Sequence, residues 1–81
     1  HKRVEEMIEN VMLIESLIQF GNRYRAKNST VDEKLLEAEE AFLQYRYVKA
    51  LEEAASAVEI IDPAAIHRIE ELVQEQLTVK S

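Results

Sequence analysis

A chain of 81 residues is long enough for one small domain with a modest core. With 47% apolar and 32% charged residues, a single glycine and a single proline, its composition is that of an all-helical bundle and argues against both disorder and a strand-rich fold. The formal charge of −6 leaves no cluster of cations to displace counterions from a phosphate backbone, which argues against nucleic acid as a partner.

No apolar run approaches the length of a membrane span, no signal-peptide pattern opens the chain, and the lack of cysteine fits a reducing compartment. The first residue is His1 rather than Met, so residues 1–81 read as a single helical module cut from something longer.

Val4, Met7, Ile8, Val11, Ile14 and Ile18 recur at three- and four-residue steps and predict a long first helix over about residues 2–26. The stripe drifts along it, so that Ile14, Leu17, Ile18, Gly21 and Tyr24 form its second half. "AKNST" breaks the pattern, and Thr30 with Glu33 resembles a capping box that starts helix two near Val31. Its apolar face is Val31, Leu35, Ala38, Phe42 and Tyr45, flanked by Leu36 and Leu43. A turn is expected within Gln44 to Tyr47.

Helix three follows with Val48, Leu51, Ala54, Ala55, Val58 and Ile61 as its face, the small residues admitting a close neighbour. Asp62 is placed to cap helix four and Pro63 to begin it, where a missing N–H costs nothing. That helix, about Pro63 to Leu77, should bury Ile66, Ile69, Leu72, Val73 and Leu77. Tight connections between four helices predict an antiparallel all-α bundle with spectrin-like or tetratricopeptide-like hairpins.

Groups for catalysis do not converge. His67 and Glu70 stand three apart on helix four, but two ligands are not a metal site, and a solvated surface histidine is the simpler reading. Glu37, Glu39 and Glu40, or Glu52 and Glu53, lack the burial that would separate two carboxylates into acid and base. No glycine-rich phosphate loop or nucleophile elbow is present. Neither enzyme activity nor a metal or cofactor is expected.

The stretch "LIQFGNRYR", Leu17 to Arg25, holds the sole glycine and two of the five aromatics. A glycine inside a helix costs about 1 kcal/mol relative to alanine. Close approach of a partner helix on the Gly21 face, with Tyr24 beside it, would offset that cost. On the other side Gln19, Asn22 and Arg23 fall at i, i+3 and i+4 and present two amides and a guanidinium fork, suited to a backbone or a carboxylate. The plainer alternative is ordinary helix surface, with Asn22 and Arg23 merely bonding the turn that follows.

"MLIESLIQFGNRYR" and "AEEAFLQYRYVKALEEAASAVEIIDPAAIHRIEE" together resemble the C-terminal end of the EzrA family of septation ring formation regulators, from about Met12 to Glu71. The resemblance implies a longer protein with one N-terminal membrane helix and a cytoplasmic rod of spectrin-like bundles. It implies a regulator that binds FtsZ and other division proteins, restrains ring assembly and sits on the cytoplasmic side of the membrane at the division septum. A Gln-Asn-Arg patch tied to mid-cell targeting in that family maps onto Gln19, Asn22 and Arg23, with Ile18, Phe20, Tyr24 and Arg25 beside it and Gly21 as the packing residue. Ala64 departs from the glycine common after the family's Asp-Pro or Glu-Pro, which predicts a less permissive turn.

Two other readings remain. "AEEAFLQYRYVKALEEAASAVEIIDP" has the texture of one tetratricopeptide hairpin, which would offer a peptide groove lined by Tyr45, Tyr47 and Lys49. Alternatively Val4, Met7, Ile8 and Val11 could form a coiled-coil seam and make the module a homo-oligomerising scaffold.

Overall fold

Apolar residues at helical spacing set one side of α1, Lys2–Asn22, against the rest of the chain: Ile14 and Leu17 are sealed from solvent and Gly21 is buried one turn further on. The computed structural model describes residues 2–79 and the side chains of residues 8–76; His1 and the side chains of Val4, Met7 and Leu77 lie outside the described residues. α1 stops at Asn22 rather than near residue 26. The Tyr24 N–H donates to the Gly21 carbonyl at 2.9 Å and the Arg25 N–H to the Asn22 carbonyl at 3.5 Å, a three-residue spacing that winds residues 23–27 into tight turns.

α2 spans Ser29–Leu43 and is capped by Asn28, whose Oδ1 accepts from the N–H groups of Thr30 at 3.0 Å and Val31 at 3.2 Å. The expected Thr30 and Glu33 capping box is therefore not what starts α2. Asparagine caps at least as well as threonine and lies earlier in the chain, so the helix gains its first turn from Ser29.

At the other end the Arg46 N–H reaches the Ala41 carbonyl at 2.9 Å and the Tyr45 N–H the Phe42 carbonyl at 3.1 Å, the paired bonds of a Schellman stop. That stop needs a left-handed residue, and Tyr45 supplies it at φ 64°, a conformation that favours glycine. α3, Tyr47–Ile61, follows at once. Asp62 then caps α4, Pro63–Val79: its Oδ1 accepts from the Ala64 N–H at 3.1 Å and its Oδ2 from Arg68 Nη2 at 3.1 Å. Ala64 lies in the first turn of α4, a helical position that alanine favours over glycine.

α3 packs against α1, α2 and α4, whereas α2 and α4 do not pack on each other among the described residues. The two hairpins thus place α2, α3 and α4 in one layer with α3 in the middle, and α1 lies across a face of it touching all three. The Cα envelope of 39 × 27 × 14 Å has the thickness of two helix layers.

Alanines line the seams: Ala38 and Ala41 on α2, Ala50, Ala54 and Ala57 on α3, and Ala65 on α4 are all buried. Their smallness lets the backbones close in and rotates α3 so that Ala50, Ala54, Ala57 and Val58 form its buried stripe. Several larger residues expected in or beside the core consequently sit outside it. Val48 is 72% exposed, Tyr45 79% and Leu43 77%, and Leu36 and Leu72 are also exposed.

Candidate functional site

Leu17 to Arg25 covers the end of α1 and the start of the turn after it. Gly21 is pressed against α2: a Cβ built there would stand 2.8 Å from Leu35 Cδ1 and 3.3 Å from Leu35 Cδ2. Its φ is not left-handed, so position 21 demands smallness rather than backbone freedom. Leu35, itself fully buried, fills the space that a side chain at position 21 would have taken.

On the outside Gln19, Asn22 and Arg23 are all exposed. Gln19 stands on the ridge of α1 between two grooves. The groove toward α4, about 290 Å³, is lined by Gln19, Phe20 and Arg23 from one side and by Leu72, Val73 and Gln76 from the other. The groove toward α2, about 450 Å³, is lined by Glu15, Ile18 and Gln19 against Glu39, Phe42 and Leu43. Leu72 and Gln76 were not among the expected site residues. No local spacing signals that α4 runs beside α1; that neighbourhood arises only when the hairpins fold.

Because α1 ends at Asn22, Arg23 lies just beyond the helix and the trio does not share one unbroken helical face. Gln19 and Arg23 border the α4 groove. Asn22 turns toward the connection, where its Oδ1 accepts from Arg25 Nη1 at 3.0 Å. Arg25 in turn donates through Nε to Asp32 Oδ1 at 2.8 Å and through Nη1 to Glu39 Oε1 at 3.3 Å. The Asp32 hydrogen bond, outweighing partial burial and helped by Glu39, pushes the Arg25 guanidinium above its already high value. Arg25 is thus a fixed cation that latches the turn to α2.

Phe20 and Tyr24 face each other with ring centroids 5.7 Å apart, and Phe20 packs on the core cluster around Leu17 and Ile69. The arrangement sets a guanidinium and an amide at the lip of a partly apolar slot floored by Phe20 and Leu72. Such a lip can bond a carboxylate or a main-chain group while the slot takes an apolar side chain.

Elsewhere the chemistry is sparse. His67, with its side chain 84% exposed, has Nδ1 3.6 Å from Glu70 Oε1, and among the described residues no three potential ligands gather around a metal position. Tyr45, Tyr47 and Lys49 do not line one groove. The Tyr47 ring lies 5.5 Å from Phe42 on the side covered by α1, whereas Lys49 borders a shallow polar groove with Glu37, Glu40 and Arg46, and the corner residue Tyr45 meets only the edge of Tyr47 at 6.4 Å. α1 covers the Phe42 and Tyr47 side of the α2–α3 hairpin.

The family described as septation ring formation regulator, EzrA, matches residues 1–73. Relatives of that description are 43% identical over 76 residues in Geobacillus sp. (strain WCH70), covering 94% of the chain and 13% of the relative. Another in Oceanobacillus iheyensis is 44% identical over 71 residues, 88% of the chain and 13% of the relative. In Listeria monocytogenes the identity is 39% over 79 residues, 96% of the chain and 14% of the relative. The chain therefore spans about 13% of the length of these relatives. No solved structure matches it.

Proposed function

From the premise that this chain belongs to the EzrA family of septation ring formation regulators, we propose that it is a non-catalytic protein-docking module through which a membrane-anchored regulator is recruited to the division septum. Gln19, Asn22 and Arg23 form the docking ridge. Phe20 and Tyr24 supply its apolar side, and Arg25 braces it by fixing the turn against α2.

The observation that carries this reading is the two-sidedness of one short stretch. Gly21 is buried against Leu35 while the amide and guanidinium groups on either side of it in sequence stand in solvent. Rigid backing under exposed donors lowers the ordering cost of binding, which is what a recognition surface needs. In the whole protein, an anchor preceding this module would hold it on the cytoplasmic side of the membrane, and FtsZ is the partner whose ring assembly it restrains.

Titrating FtsZ into the isotopically labelled chain tests the assignment. Amide shifts concentrated at Gln19, Phe20, Asn22 and Arg23 are the expected result. Shifts confined to Tyr45, Tyr47 and Lys49 would place docking at the hairpin corner instead.

A further inference from the structure

The α1–α2 groove has a direction and a charge. Its floor is Ile14 and Ile18 of α1 with Phe42 and Leu43 of α2, and its volume is about 450 Å³. α1 and α2 run antiparallel, Gly21 meeting Leu35 and Ile14 grouping with Ala41, so α2 reaches its last residue, Leu43, beside Ile14. Beyond that point the apolar track continues, among the described residues, on α1 alone through half-buried Val11 to Ile8, which is 48% exposed. From Ile18 to Ile8 it runs roughly 15 Å, about three helical turns.

Carboxylates border the groove: Glu15 of α1 and Glu39 of α2 both line it, and no lysine or arginine does. Arg25, 3.3 Å from Glu39, offsets part of that charge at one end only.

We propose that this groove binds a cationic amphipathic helix of a protein partner, laid along α1 where α2 leaves off. Its apolar residues, at three- and four-residue steps, enter between Ile18, Phe42 and Leu43 and cover Ile8, while its lysines or arginines face Glu15 and Glu39. Charge selects this occupant over a second copy of the chain, which would bring its own carboxylates against these. An anionic membrane surface is repelled for the same reason. The groove lies on the other side of α1 from Phe20 and Arg23 and shares Gln19 with the docking ridge, so shifts at Ile8, Val11 and Leu43 rather than at Phe20 and Arg23 separate the two.

A short synthetic peptide with leucine at three- and four-residue steps and lysine elsewhere, titrated against the labelled 81-residue chain, is the test. Saturable shifts are expected at Ile8, Val11, Ile18 and Leu43, diminishing with salt. Leu43→Ser, at a side chain exposed enough to leave folding intact by circular dichroism, weakens binding about tenfold. Glu15→Gln weakens it about threefold, and Glu71→Gln, on exposed α4 surface, leaves it unchanged. The proposal is overturned if Glu71→Gln weakens binding as much as Glu15→Gln, if a peptide with glutamate in place of lysine binds equally, or if no saturable shift occurs. It is equally overturned if the same amides shift with protein concentration alone, which would make a second copy the occupant.

Discussion

At position 21 two terms of similar size oppose each other. Alanine would recover about 1 kcal/mol of helix propensity, but it would set a methyl group 2.8 Å from Leu35 Cδ1. Leu35 is fully buried and cannot swing into solvent, and overpacking of this kind costs roughly 1–3 kcal/mol. Gly21→Ala should therefore lower stability by about 1 kcal/mol, a fall in melting temperature of about 4–8 °C in a domain of this size. In a Leu35→Val background the clash is relieved and the same change should become neutral or stabilising, a coupling that a thermal double-mutant cycle measures. A stabilising Gly21→Ala in the otherwise unaltered chain would show that Leu35 yields and that no close approach is needed. Tyr45 is the second residue whose backbone sets its chemistry: a left-handed conformation costs a non-glycine residue roughly 1–2 kcal/mol, and the exposed ring recovers little of it. Tyr45→Gly should thus be neutral or stabilising by up to about 1 kcal/mol in urea denaturation, whereas Tyr45→Val should lose about 1 kcal/mol or more.

Between α1 and α2 the connection is held by few groups, and they can be separated by substitution. Arg25 bridges Asn22, Asp32 and Glu39, and Asn28 caps α2. Arg25→Ala should cost about 1 kcal/mol, since its partners are partly solvated, and should speed amide exchange across residues 23–28. Lysine cannot hold three acceptors with one ammonium in the same geometry, so Arg25→Lys should exchange nearly as fast. Protection unchanged in either variant would mean that the turn is held by its backbone bonds alone. At this scale the readable parts of the sequence were those with a local chemical signature. Asp62 and Pro63 start α4 as their chemistry requires, and the interruption around Gln44 to Tyr47 ends α2. The alanine seams were harder to read, because Ala41, Ala50, Ala57 and Ala65 add little to an apolar stripe although they allow the closest packing. Reading the larger residues as core instead put Val48 and Tyr45 on the wrong side. The left-handed stop at Tyr45 carried no glycine to announce it, and Asn28 displaced a threonine cap that was equally plausible in isolation. At the candidate surface, helical spacing placed Gln19 and Asn22 outward, but Arg23 lies in the turn beyond α1, and the α4 wall of the groove that Gln19 and Arg23 border depended on tertiary packing.

In the whole molecule, α1 lies across a layer made by α2, α3 and α4, and so offers one outward ridge flanked by two grooves. Gly21 fixes that ridge from beneath through Leu35, and Gln19, Asn22 and Arg23 above it are exposed, with Asn22 also accepting from Arg25. In the proposed reading, recognition rests on the exposed Gln19, Asn22 and Arg23 and folding on the buried Gly21 and Leu35, with Phe20 shared between them. Replacing Gln19, Asn22 and Arg23 together by alanine in the full-length protein, and following both the melting of the module and the position of the protein in dividing cells, tests that separation most directly. Helicity and melting temperature are expected to stay within a few degrees of the unaltered chain, as surface substitutions of about 0.5 kcal/mol or less imply, while septal recruitment is lost. A triple variant that unfolds, or one that still gathers at the septum, would contradict it.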